Sequence, residues 1–211
     1  MSARIPLIFI TGTSAAGKTH FSRCLAKALN QLGHRPVVIA ADDYYRKDWV
    51  PDPLYGYDTI AAIDTEALIS DLEGLSQGNL QQRRQYDMGT KAVSWTDMPP
   101  GWDLVILEGA FGPQVLMERM PPDLLLYVDT SLSLRILRRL LRDTRERNRS
   151  IVSILNQTWN NMIPGERDFI QPLKQQADVI IRNPKKDLET VINRWSSEQG
   201  AEPSIIQRPQ F

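Results

Sequence analysis

The residues Gly12 to Thr19 read Gly-Thr-Ser-Ala-Ala-Gly-Lys-Thr and fit G-x-x-x-x-G-K-[ST], the phosphate-binding P-loop. Gly12 and Gly17 can take backbone angles that a Cβ forbids, so the amides of Thr13, Ser14, Ala15 and Ala16 can turn inward around phosphate oxygens. Lys18 adds a charge that can reach the β- and γ-phosphates, and the Thr19 hydroxyl is placed to ligate Mg²⁺. An apolar run at residues 5–10 precedes the motif, as a buried strand does. Phe21, Cys24, Leu25, Ala28, Leu29 and Leu32 follow at helical spacing, and Gly33 stops the helix. On this spacing Cys24 sits on the apolar face as a small core residue. Strand, glycine loop and helix come in the order that the phosphate site requires.

That order propagates along the chain. Further apolar runs occupy residues 36–41, 103–107, 124–128 and 177–181, with helical patterns at 65–75, 131–147, 151–162 and 188–195. Thr65 is the expected N-cap of the first of these. Five short strands alternating with helices predict an α/β P-loop fold: a five-stranded parallel sheet with helices on both faces and ligands at the carboxyl ends of the strands. Residues 1–200 form one domain, and 201–211 a tail. Residues 46–64 make a long, aromatic-rich ordered loop, and about 78–97 a small hairpin excursion.

Hydrophobic residues make up 42% and charged residues 24% of the 211, as in a globular protein. The 25 basic and 25 acidic residues balance, which argues against a chain that binds nucleic acid through its overall charge. The lone cysteine excludes an internal disulfide. No apolar run reaches membrane-spanning length, and the start carries no cleavage pattern, so the expected setting is the cytoplasm, away from membranes.

Three strands end on an acid: Asp42, Glu108 and Asp129. Phosphoryl transfer uses carboxylates at such a place to orient Mg²⁺ and to take the proton of an attacking hydroxyl. The two histidines, His20 and His34, are poorly placed for the second task, which leaves a carboxylate base. Asp129 can equally cap the helix that follows. Between Arg135 and Arg149 lie seven arginines, of which 135, 138, 142, 145 and 149 share one helical face. A solvated face, a nucleic-acid stripe and a lid over phosphates at about 135–160 all accommodate them. The lid best explains both their common sign and the nearby P-loop.

These motifs in their order resemble the uridine kinase/phosphoribulokinase family. The resemblance rests on the P-loop, Asp42-Asp43-Tyr44-Tyr45-Arg46, Tyr57-Asp58, Tyr86-Asp87, Glu108-Gly109, Val128-Asp129, the arginine run and Ala177-Asp178-Val179-Ile180-Ile181. It implies ATP and Mg²⁺ as cofactors and a small, nucleoside-like acceptor. Asp42 would be the base for the acceptor hydroxyl, and Asp58 would bond ribose hydroxyls. Tyr45, Tyr86, Arg147 and Gln157 would lie at the acceptor. Arg138 and Arg149 would lie at the nucleotide, Arg142 and Arg147 at the transferring phosphate, and Glu108 with Thr19 at the metal. Relatives often assemble, so the resemblance leaves a homo-oligomer open.

The likeness is weaker on the acceptor side. The family carries a pyrimidine-reading histidine just after the Tyr-Asp of the hairpin, whereas this chain has Tyr86-Asp87-Met88-Gly89-Thr90-Lys91. The expected activity is ATP-dependent phosphorylation of a primary hydroxyl, with uridine or cytidine as first acceptor. Nicotinamide riboside, pantothenate and a sugar are the alternatives within that class. A non-catalytic nucleotide switch is the alternative outside it.

Overall fold

The computed structural model describes residues 4–145 and 149–198. Strands β1 (Leu7–Gly12), β2 (Pro36–Ala40), β5 (Leu104–Glu108), β6 (Leu124–Val128) and β7 (Val179–Ile181) form a parallel sheet in the order β2-β5-β1-β6-β7. Strand β1 is central, pairing Ile10 with Glu108 on one side and Gly12 with Val128 on the other. Its neighbours therefore lie on opposite sides, and the loop after β1 opens at the switch point where an α/β sheet takes its ligand.

The pleat of β1 divides the core. Leu7 and Phe9 pack into one layer with Leu68, Leu72 and Leu75 of α2 (Thr65–Ser76). Ile8 and Ile10 pack into the other with Phe21, Leu25 and Leu29 of α1 (Lys18–Gln31) and Val191, Ile192 and Trp195 of α8 (Pro184–Glu198). Every residue of β1, β5 and β6 is buried. That explains why the strands read as apolar runs rather than alternations.

Two local expectations shift. Cys24 is half-buried, with Sγ 3.7 Å from His20 Nε2, and Ser22 is the small residue buried in α1. The contact face is centred on Phe21, Leu25 and Leu29, which rotates position 24 to its edge. Asp64, not Thr65, caps α2 by accepting from the Ala67 amide at 3.3 Å.

A two-stranded antiparallel hairpin, β3 (Gln82–Tyr86) and β4 (Val93–Asp97), stands apart from the main sheet. Helix α3 (Pro113–Arg119), unmarked by any strong periodicity, joins β5 to β6. Beyond α4 (Leu132–Arg145), helical chain continues past the expected limit at residue 162. It runs through α5 (Ile151–Gln157), α6 (Ile163–Gly165) and α7 (Leu173–Gln176), with π-helical turns at Thr158–Met162 and Glu166–Ile170. Such widened turns displace side chains from the regular helical face and recur at functional sites. Here they carry Gly165 against the backbone of Asp58, so close that a Cβ would collide with its carbonyl. Among the described residues no helix is long and apolar enough to cross a membrane.

Candidate active site

The P-loop adopts the backbone its glycines permit. Gly12 has φ 142° and its Cα faces the Val128 carbonyl, leaving no room for a Cβ, while Gly17 has φ 105° at the start of α1. Among the described residues no side chain caps the α1 terminus, so its amides and the positive end of the helix remain available to an anion. Lys18 folds back to donate to the Thr13 carbonyl at 3.1 Å. Burial pushes its pKa below the usual lysine range, against the pull of Glu108, Asp42 and Glu166.

Glu108 ends strand β5, beside the central strand β1, and accepts from the Thr19 hydroxyl at 2.8 Å. Burial raises its pKa, partly offset by Lys18. Asp42 lies in the 3₁₀ turn Ala41–Tyr44 that follows β2. Its neighbour Asp43 points elsewhere and accepts from the Tyr86 amide at 3.1 Å, which ties the hairpin to this turn. Arg84 strengthens that tie, donating to the Tyr45 carbonyl at 3.0 Å and lying over the Tyr44 ring. Asp129 turns away to Lys174, 2.8 Å, and Arg182, 3.5 Å. It belongs to this salt-bridge cluster, and it neither caps α4 nor lines the site.

Asp58 is buried, and its Oδ2 has no hydrogen-bond partner among the described residues. Burial pushes its pKa up to about 6, with Arg139 opposing. A buried acceptor oxygen left open is costly unless a ligand supplies the donor. Tyr45, Tyr57 and Tyr86 gather beside it, with the Tyr45 ring 6.4 Å from Tyr57 and 6.0 Å from Tyr86.

The arginine run does not fold as one free face. The buried side of α4 carries Arg135, Arg139 and Asp143, while Leu134, Leu137 and Leu141 point outward. Two buried carboxylates account for this arrangement. Glu166 accepts from Arg135 at 2.6 Å. Asp143 faces Arg142 at 2.8 Å, Arg139 at 3.6 Å and Arg149 at 3.8 Å. Arg138 reaches over the P-loop to the Ala16 carbonyl at 3.1 Å. Gln157 accepts from Arg139 at 2.9 Å and Arg149 at 2.6 Å. Arg147 lies outside the described residues.

Two adjoining cavities result. One of about 300 Å³ is lined by Gly17, Lys18, Thr19, Glu108 and Arg138. The other, about 700 Å³, is lined by Tyr57, Tyr86, Lys91, Arg139, Arg149 and Gln157. Ser14, Asp42, Tyr45, Asp58 and Arg142 line both. Sequence reasoning missed Glu166, whose carboxylate also accepts from the Ser14 amide at 2.8 Å. It sits in a polar stretch with no motif, 152 positions from its partner. Asp143 lies inside the arginine run, where the sequence shows an acid but not its burial.

The sequence profile of the Phosphoribulokinase / Uridine kinase family matches residues 7–189. The chain belongs to this family. Like its relatives, this family member is a P-loop kinase. It is 38% identical over 186 residues to a uridine kinase of Staphylococcus haemolyticus (strain JCSC1435), covering 85% of this chain and 88% of that protein. A structure described as a possible uridine kinase from Bacillus stearothermophilus superposes with a TM-score of 0.60 at 18% identity, covering 86% of this chain and 91% of that one. A D-glycerate 3-kinase from Cryptococcus neoformans var. grubii superposes with a TM-score of 0.59 at 17% identity, covering 79% of each chain. At such identities the two structures show the shared fold alone.

Proposed function

We propose that this kinase transfers the γ-phosphoryl group of ATP to a primary hydroxyl of a small ribosyl acceptor, with uridine or cytidine as the first candidate. The wall shared by the two cavities, above all Asp42 and Asp58, carries this reading. Two substrates seated on either side of that wall meet where carboxylates are available, as transfer between them requires. The 38% identity to a protein named uridine kinase supports the choice of acceptor.

In this reading the P-loop amides and Lys18 hold the β- and γ-phosphates. Asp42 takes the proton as the acceptor oxygen forms its bond to phosphorus and the bond to the β,γ-bridging oxygen breaks, releasing ADP. Asp58 receives the acceptor's other hydroxyls on its open Oδ2. Arg138 and Arg142 stabilise charge on the transferring group, and Arg149 and Gln157 close the acceptor side. The hard oxygens of Thr19 and Glu108, bonded to one another beside Lys18, suit Mg²⁺, which needs few protein ligands when phosphates supply the rest. Bound there, Mg²⁺ would neutralise phosphate charge.

The deciding measurement is acceptor-dependent ADP release across uridine, cytidine, nicotinamide riboside, pantothenate and simple sugars. Release with a ribonucleoside supports the reading. Release with a non-ribosyl acceptor alone overturns the choice of acceptor. ATP binding without release for any of them favours a nucleotide switch.

A further inference from the structure

The hairpin turn between β3 and β4 brings two charged side chains, Asp87 and Lys91, to the acceptor cavity. Lys91 lines that cavity beside Asp87, Met88 and Gly89, and its Nζ lies 5.6 Å from the centroid of the Tyr57 ring. The turn is built to hold it there. The Asp87 carboxylate accepts from the Gly89 amide at 2.9 Å, the Thr90 amide at 2.7 Å and the Thr90 hydroxyl at 2.9 Å. The Lys91 amide donates to the Asp87 carbonyl at 2.8 Å, and Lys91 takes the left-handed φ of 58°. Asp87, the acid nearest in sequence, takes all three of these bonds on Oδ1, which fixes the turn that carries Lys91. The hydroxyl of Tyr57 keeps the ammonium above the usual lysine range.

The cavity therefore offers three kinds of group: the carboxylates of Asp42 and Asp58 for hydroxyls, three tyrosine rings as flat walls for a planar ring, and the Lys91 ammonium from the hairpin. An ammonium has three donors and no acceptor. It rewards a carbonyl oxygen at the edge of that ring and is poorly matched by an amino group in the same place.

We infer that Lys91 determines the acceptor's specificity, selecting a ring that presents a carbonyl oxygen to the hairpin and discriminating against one that presents an exocyclic amine. This inference rests on the ribosyl-acceptor reading and adds to it: of the two pyrimidine nucleosides, uridine is preferred. A charged donor with a well-placed partner gives discrimination of roughly tenfold or more between acceptors that do and do not match it.

The test measures kcat/KM for uridine and for cytidine with the wild type, Lys91→Met and Lys91→Glu, alongside ATP affinity as the check that each variant is folded. The wild type should favour uridine by about tenfold or more. Lys91→Met should bring the ratio close to unity, mainly through a higher KM for uridine. Lys91→Glu, an acceptor in place of a donor, should reverse it in favour of cytidine. A ratio that stays the same in folded variants overturns the role of Lys91 and leaves the kinase reading standing. Failure of the wild type to use either nucleoside overturns both.

Discussion

Glu166 accepts hydrogen bonds from Arg135 Nη1 at 2.6 Å and from the Ser14 amide at 2.8 Å, so one buried carboxylate ties α4 and the helical run after it to the P-loop. Both partners of the ion pair are buried, with side-chain exposures of 7% and 2%. Removing one partner strands the other without solvent. Glu166→Ala should therefore lower unfolding stability by about 3–5 kcal/mol, the usual cost of breaking a buried pair. Urea unfolding measures it, and a loss no larger than that of a surface substitution would show that the link is not structural.

Asp42 should separate chemistry from binding. Asp42→Asn keeps the shape and removes the base, so kcat should fall by about 10²- to 10⁴-fold while ATP affinity stays near that of the wild type. Steady-state kinetics with a fluorescent-nucleotide titration resolve the two quantities. Turnover close to normal would assign the proton to another group.

Asp58 predicts a pH dependence of unusual sign for an aspartate. Its carboxyl titrates at about 6 in the fold and near 3.9 in an unfolded chain. Between those values the folded protein retains a proton that the unfolded chain has released. Its contribution to stability thus falls as pH rises from about 4 to about 6, by about 3 kcal/mol in all, and is level above that. Asp58→Asn should remove this slope and leave the protein more stable at pH 7 than the wild type. The acceptor KM should improve in the wild type as pH rises through about 6, because the ionised carboxylate is the better hydroxyl partner. Denaturation and KM measured across pH 4–8 test both, and a variant with the wild-type slope would contradict the assignment.

Gly165 should be intolerant of even a methyl group. A Cβ would collide with the Asp58 carbonyl, so either the helical run or Asp58 must move. Gly165→Ala should cost about 1–3 kcal/mol of stability and raise the acceptor KM with little change in ATP affinity. An equal loss at both substrates would point to general unfolding rather than displacement of Asp58.

The Thr19–Glu108 hydrogen bond predicts a metal phenotype. Glu108→Gln should raise the Mg²⁺ concentration needed for half-maximal activity by roughly tenfold to a hundredfold, the usual effect of disturbing an orienting partner. A Mg²⁺ titration of ADP release reads it directly, and an unchanged midpoint would remove Glu108 from the metal site.

Much of the architecture was legible in the residues alone because its signals are local. The P-loop motif, the five apolar runs and the helical stripes each depend on neighbours within a few positions, and together they specify the parallel sheet and the place of the phosphate site. Asp42, Asp58 and Glu108 could be named as candidates because they stand at strand ends or within short motifs. Only the tertiary structure decided how the charges pair. In sequence the arginine run accommodates a solvated face, a nucleic-acid stripe or a lid, because its pairing with Asp143 and Glu166 depends on which side chains are buried together. The same holds for the contact of Gly165 with Asp58 and for the place of Lys91 in the lining of the larger cavity. Glu166 and Ser14, like Gly165 and Asp58, lie far apart in sequence, and even neighbours such as Arg142 and Asp143 take their meaning from a burial that only the folded chain imposes.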